Sequence, residues 1–264
     1  MSIERTPTDI IKSAISERLL SRLKHISFNK FMEEMDLTSV YVCGNSCNVA
    51  KPNDYDVYLT PEESKDFLSR DFGKLEGDIK LSTRTKNSMT FVYLGKHVIQ
   101  ICNYSKPTLQ QLIESFDFSY CQVGAKVKVN DENWLSIREV ALTDNYIEYL
   151  ASGYTEYIGS EYPMSSLIRV VKTNEKGLFN GRSYIRSVLK ILTDIMDRGV
   201  SDYADFKDQL DAVDLGMAPE DLQGIGDVIK RLFVLLRTAN DRNISDFDKT
   251  FKDYLNEERN EEDD

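Results

Sequence analysis

The stretch Val40-Tyr41-Val42-Cys43-Gly44-Asn45-Ser46 and, eight positions beyond its serine, the stretch Asp54-Tyr55-Asp56-Val57-Tyr58-Leu59 decide how this chain reads. An apolar run ends in Gly-x-Ser, a short loop follows, and a second β-type run opens with carboxylates at i and i+2. Alternate residues of a strand point to one face, so Asp54 and Asp56 share a face. Two carboxylates held together repel unless a cation or a proton lies between them. Mg²⁺ suits such a pair, because it takes hard oxygen ligands and keeps positions for water and phosphate. Gly44 lets the backbone approach an anion closely, and Asn45, Ser46 and the neighbouring N–H groups can donate to it. The two runs together describe a phosphate cradle facing a metal site.

Working outward, the segment before this core places Ile10, Ile11, Ala14, Ile15, Leu19, Leu20 and Leu23 at helical spacing behind a cap candidate at Thr8. After it, Thr60-Pro61-Glu62-Glu63 reads as the cap and acidic first turn of a helix reaching about Phe72. Period-two runs then predict strands at Ile79–Thr85, Met89–Leu94 and Val98–Cys102, the last two joined by a turn at Gly95-Lys96. A short helix with Leu109, Leu112, Ile113 and Phe116 on one face leads to a final strand from Asp117 to Val123, extending to Val129. From about Asp131 the pattern is helical, with segments at Leu167–Val171, Tyr184–Met196 and Val228–Leu236 and a helix start at Ala218-Pro219. The expected organisation is an α+β chain: a catalytic domain with a mixed sheet over residues 1–130, a helical domain over 131–256, and an acidic tail over 257–264 that reads as disordered.

Composition bounds the function classes. The 264 residues are 41% hydrophobic with a formal charge of −11, enough to build a core and unsuited to coating nucleic acid. The charge is uneven. Residues 257–264 carry a net −5, whereas residues 165–190 carry +5, with Arg169, Lys172, Lys176, Arg182, Arg186 and Lys190 against Glu175 alone. A phosphate-bearing ligand would be met in that basic stretch, and Arg169 and Lys172, one helical turn apart, are its candidate contacts. No apolar run reaches the roughly 20 residues that span a bilayer, and Met1-Ser2-Ile3-Glu4-Arg5 lacks a secretory apolar core, so a cytoplasmic protein with no membrane partner is expected. Cys43, Cys47, Cys102 and Cys121 show neither a disulfide framework nor paired zinc-ligand spacing, and read as buried thiols. Two histidines, His25 and His97, give no basis for a Ser-His-Asp or Cys-His site.

The Gly44-x-Ser46 and Asp54-x-Asp56 motif resembles the signature of the DNA polymerase beta-type nucleotidyltransferase superfamily. Further stretches are similar to nucleotidyltransferases predicted in phages and giant viruses: His97-Val98-Ile99-Gln100-Ile101-Cys102, Phe116-Asp117-Phe118-Ser119-Tyr120-Cys121-Gln122-Val123, and Ser165–Lys172 with Lys176-Gly177. The resemblance spans residues 38–182. It implies a nucleotidyltransferase fold followed by helices, and transfer of a nucleoside monophosphate from a nucleoside triphosphate to a hydroxyl acceptor, with pyrophosphate released. Two Mg²⁺ ions, or Mn²⁺, would serve the attacking and leaving oxygens. Asp54 and Asp56 would be catalytic metal ligands, and Gly44, Asn45, Ser46, Arg169 and Lys172 would meet the triphosphate.

Two departures stand out. Members of the superfamily carry a third carboxylate on a later strand, where this chain has Gln100. Glutamine is a neutral ligand at best and no base at neutral pH, so Asp117 is the expected third metal ligand. The loop between Ser46 and Asp54 contains Lys51-Pro52-Asn53 and leaves room for barely one helical turn. An RNA 3′ end, a protein hydroxyl or a small molecule all fit as acceptor. A catalytically degenerate relative that binds a nucleotide or a partner stays open, as does a metal-dependent phosphohydrolase, although the latter would recruit more histidine than the chain holds.

Overall fold

The computed structural model describes residues 5–48, 52–63, 67, 70, 72, 78–84, 88–102, 104, 106–130, 132–199 and 205. Seven strands are present: β1 (Ser39–Cys43), β2 (Asp54–Leu59), β3 (Ile79–Arg84), β4 (Ser88–Tyr93), β5 (His97–Cys102), β6 (Val123–Val129) and β7 (Leu135–Leu142). They form one sheet in the order β3-β4-β5-β2-β1-β6-β7. Strands β2 and β5 run parallel, and every other neighbouring pair is antiparallel, so the sheet is mixed and the fold is α+β, as expected. The helices are α1 (Pro7–His25), α2 (Phe28–Glu34), α3 (Asn45–Asn48), α4 (Leu109–Glu114), α5 (Asp144–Ser152), α6 (Pro163–Glu175) and α7 (Gly181–Arg198).

Alternation in the strands sorts the two faces. Val40, Val42, Val57, Leu59, Phe91, Ile99 and Ile101 are buried in one cluster with Ile15, Leu19 and Leu23 of α1 and Phe28, Phe31 and Met32 of α2. Burying each such side chain contributes on the order of 1.5–3 kcal/mol. Helix α1 is capped by Thr6, two residues before the candidate Thr8. The Thr6 hydroxyl accepts from the Asp9 amide at 3.2 Å, and the Asp9 carboxylate accepts from the Thr6 amide at 3.1 Å. Pro7 explains the shift, because its fixed φ and missing N–H suit the first helical position.

The opposite face carries α4. Leu109, Leu112 and Ile113 of α4 pack there on Tyr41, Cys43 and Ala141, with Tyr58 and Phe116 at the margin. Gly124 makes this approach possible. A Cβ built on it would lie 2.8 Å from Cys43 Sγ, 2.9 Å from Leu109 Cδ1 and 3.1 Å from Ile113 Cγ2. On the same face, beyond α4, lie Asp54, Asp56 and Gln100, all half-buried.

Two expectations are corrected. The strand expected to begin at Asp117 begins at Val123; Phe118 forms an isolated bridge with Tyr157, and Ser119–Cys121 is a single 3₁₀ turn. Side-chain hydrogen bonds win locally over a ladder: the Ser119 hydroxyl contacts the Thr155 hydroxyl at 3.0 Å and accepts from the Glu156 amide at 3.1 Å. The pattern also does not turn helical at Asp131, since β7 pairs with β6 from Val123↔Leu142 to Val129↔Leu135. As an edge strand, β7 carries two successive exposed charges, Arg138 and Glu139, at a register shift in its pairing with β6, which breaks its alternation for a sequence reading. Helices α5 to α7 follow it. The chain divides into two compact units, Met1–Glu161 with Ile168–Val188, and Tyr162–Leu167 with Leu189–Asp264. The helix expected to run to about Phe72 falls largely outside the described residues, as do the segments at Ala218-Pro219 and Val228–Leu236 and the acidic tail. No helix among the described residues is long and apolar enough to cross a membrane.

Candidate functional site

The centre of the site is the crossing from β1 to β2. After Cys43 the chain turns through Gly44 at φ +63°, a left-handed conformation that L side chains avoid, and enters the one-turn helix α3. That single turn is what the short loop leaves room for. Helix α1 holds its far end, Arg22 donating to the Cys47 carbonyl at 3.2 Å and Arg18 to the Asn48 carbonyl at 3.4 Å. Asn48 is a second fastening: its amide donates to the Tyr120 carbonyl and its side-chain oxygen accepts from the Tyr146 hydroxyl. Nothing in the sequence singled Asn48 out, because its partners lie far along the chain.

Asp54 and Asp56 open β2 on the face away from the main core, while Tyr55 and Val57 between and beyond them are buried in it. The parallel register sets Asp54 beside Val98 and Asp56 beside Gln100, and β4 brings Thr90 opposite Gln100. Gln100 therefore shares a face with the two carboxylates and lies next to the second. A Cβ at Gly44 would stand 3.9 Å from Asp56 Oδ2 and 4.0 Å from the Cys121 carbonyl oxygen, ordinary contact distances, so the turn lies against the Asp56 carboxylate and it is the left-handed φ that calls for glycine.

Ser46 has a structural task besides the one its motif suggested. It is fully buried, and its hydroxyl accepts from the Asp56 amide at 2.8 Å. The one-turn helix points the side chain inward, where it fixes the start of β2. Asn45, half-buried, sits at the turn between Gly44 and Ser46.

Asp117 is not gathered with Asp54 and Asp56. Among the described residues, no three His, Cys, Asp or Glu side chains come together as a metal-binding group. Asp117, 4% exposed, makes an ion pair with Arg169 at 2.9 Å. A dication ligated by Asp117 would have to share that carboxylate with a guanidinium, which Coulomb repulsion opposes. Arg169 also lies over the Phe118 ring at 5.7 Å and reaches Cys121 Sγ at 3.9 Å. Burial first, opposed by Arg169 and reinforced by Asp117, pushes the Cys121 thiol up to about 12. The phenol of Tyr58 is raised by burial and by the charges of Cys102, Asp56 and Cys43, with Arg169 pulling the other way. Tyr58 thus lies within electrostatic reach of both Asp56 and Arg169. Lys172, one turn beyond Arg169 on α6, is exposed.

The donor set fits one hard cation better than two. Asp54 and Asp56 can supply two carboxylate oxygens, leaving the rest of an octahedral shell to water and ligand phosphate. The neutral Gln100 adds a carbonyl oxygen at most.

Comparison with known proteins gives two findings. The sequence model of the Gabija anti-defense 2 family matches residues 11–152. Two solved structures of a CCA-adding enzyme, one with CTP and one with ATP, align at TM-scores of 0.46 and 0.44 with 16% and 14% sequence identity. The alignments cover 70% and 72% of this chain, which spans about half, 47%, of each of those chains. No curated protein matches.

Proposed function

The chain belongs to the Gabija anti-defense 2 family, matched over more than half of its 264 residues, and from that premise we propose that it is a metal-dependent nucleotidyltransferase whose activity works against the Gabija defence. The observation that carries the reading is the arrangement at the β1–β2 crossing. Asp54 and Asp56 share one face, the Asp56 backbone is held by Ser46, and the left-handed turn at Gly44 lies against the Asp56 carboxylate. All of these residues lie inside the matched segment.

In this reading Asp54 and Asp56 hold Mg²⁺, or Mn²⁺, together with the phosphates of a nucleoside triphosphate. The bound ion would offset negative charge at the α-phosphorus and on the leaving pyrophosphate. Gly44 and Asn45 line the phosphates at the turn, and Arg169 and Lys172 add positive charge from α6. The protein's contribution is positioning and electrostatics, the terms that dominate phosphoryl chemistry. Ser46 keeps the Asp56 carboxylate aimed by anchoring its own amide. The likeness of the later motifs to phage and giant-virus nucleotidyltransferases belongs to the same proposal, and so does a cytoplasmic site of action. The acceptor is an RNA 3′ end, a protein or a small molecule.

Among the described residues no third carboxylate gathers with Asp54 and Asp56, which favours a second reading, in which the same fold binds a triphosphate or a partner without turnover. Incubating the protein with Mg²⁺ and each α-³²P-labelled triphosphate in lysate from Gabija-carrying cells separates the two. Label transferred by the wild type, and by neither Asp54→Ala nor Asp56→Ala, supports the enzyme. Triphosphate binding without transfer, together with counter-defence that survives Asp56→Ala, supports the binding protein.

A further inference from the structure

Asp117 is a buried carboxylate on a rigid mount. Its own carbonyl accepts from the Ile158 amide at 2.7 Å, the Ser119 amide donates to the Glu156 carbonyl at 3.0 Å, and Phe118 bridges Tyr157. The segment around it is therefore tied down on both sides by residues 156–158. A carboxylate only 4% exposed is costly unless a cation answers it. Arg169 provides that cation, and the guanidinium is itself confined by the Phe118 ring and by Cys121. Nη1 faces Asp117 and Nη2 faces Cys121, yet the Arg169 side chain as a whole is 39% exposed, so it is not sealed from a ligand. A guanidinium has five N–H donors in a fixed fork, and one carboxylate oxygen does not use them up.

The guanidinium lies near the carboxylate pair. Cys121 touches the guanidinium through its sulfur, and its carbonyl oxygen and Cβ lie 4.0 Å from the position a Cβ would take on Gly44. That position is in turn 3.9 Å from Asp56 Oδ2. Arg169 is thus linked through Cys121 to the Gly44 turn, which in turn lies against Asp56. Such an arrangement suits a ligand carrying both a divalent cation and several phosphate oxygens.

We propose that Asp117 is a positioning residue for Arg169, holding its guanidinium where the N–H donors that Asp117 does not use grip the triphosphate, and that it ligates no metal. This rests on the triphosphate-binding part of the reading above and does not require turnover. The sign of the effect makes it testable. Asp117→Asn removes a negative charge near the site, so a purely electrostatic role would tighten anion binding. A positioning role predicts the reverse.

The test is calorimetric binding of inorganic tripolyphosphate to the full chain in the presence of EDTA, with Mn²⁺ binding followed separately by paramagnetic resonance. Asp117→Asn and Arg169→Ala should each weaken tripolyphosphate about tenfold to a hundredfold, the loss of one charge-assisted contact. The double variant should weaken it no further, and Asp117→Glu should restore part of the loss. Mn²⁺ binding should be unchanged in Asp117→Asn. Arg169→Lys, which keeps the charge but not the fork, supplies a variant that tests the idea even if Asp117→Asn does not fold, and it should bind as weakly as Arg169→Ala. Unchanged or tighter tripolyphosphate with lost Mn²⁺ in Asp117→Asn would make Asp117 a metal ligand and overturn the proposal. A wild type that binds tripolyphosphate but never releases pyrophosphate removes only the enzyme reading, whereas one that binds none removes this proposal.

Discussion

Asp54 and Asp56 are the residues on which the functional reading turns, and their geometry makes two of its consequences measurable. Replacing either with alanine removes a carboxylate from a pair that repels in the absence of a cation. The melting temperature without metal should hold or rise, while the increment given by Mg²⁺ plus triphosphate should vanish. A variant that keeps that increment would remove the metal assignment from the residue concerned. Ser46→Ala tests the anchor: it leaves the Asp56 amide without its acceptor in a buried place, which should cost about 1–3 kcal/mol in denaturant unfolding. Unchanged stability would mean that the hydroxyl is not what fixes the start of β2. The carboxylate pair was legible because strand periodicity alone places it. The roles of Ser46 and Asp117 were not, because one depends on which way a single helical turn points its side chains and the other on a partner, Arg169, on a distant helix.

At the scale of elements, most strands could be read from their alternation, and the errors fall where alternation is weak or local chemistry intervenes. Strand β7 was missed because an edge strand with exposed polar residues carries little hydrophobic signal. The run after Asp117 was read as strand because its apolar residues alternate, but hydroxyl contacts between Ser119 and Thr155 shape it into a 3₁₀ turn. The packing of α4 on the site face depends on Gly124. Gly124→Ala would place a methyl group under 3.0 Å from Cys43 Sγ and Leu109 Cδ1, so these buried side chains, or α4 with them, would have to shift. Overpacking of this kind costs about 1–3 kcal/mol, read as a lower urea midpoint with unchanged slope. An unaffected midpoint would show that α4 is free to adjust.

For the whole molecule, the acidic composition does not say what the protein meets; the proposed ligands rest on the site, within a chain that belongs to the Gabija anti-defense 2 family. Burial of thiols around the sheet also sets a pH response. Burial pushes Cys47 and Cys121 from 9.0 up to about 12 and raises Cys43 well above 9.0. Between about pH 9 and 12 the unfolded chain therefore loses these protons while the folded chain keeps them, so stability should fall as pH rises through that window. Thermal unfolding from pH 8 to 11 checks it, and a Cys47→Ala, Cys121→Ala variant should show a shallower decline. The central claim, that the carboxylate pair performs nucleotidyl transfer, is tested most directly by pyrophosphate release. The purified chain is incubated with Mg²⁺, a nucleoside triphosphate and an acceptor pool of RNA, protein and small molecules. Release by the wild type that is lost in Asp56→Ala is the predicted result; no release by the wild type with any of the four triphosphates, or equal release by Asp56→Ala, would contradict it.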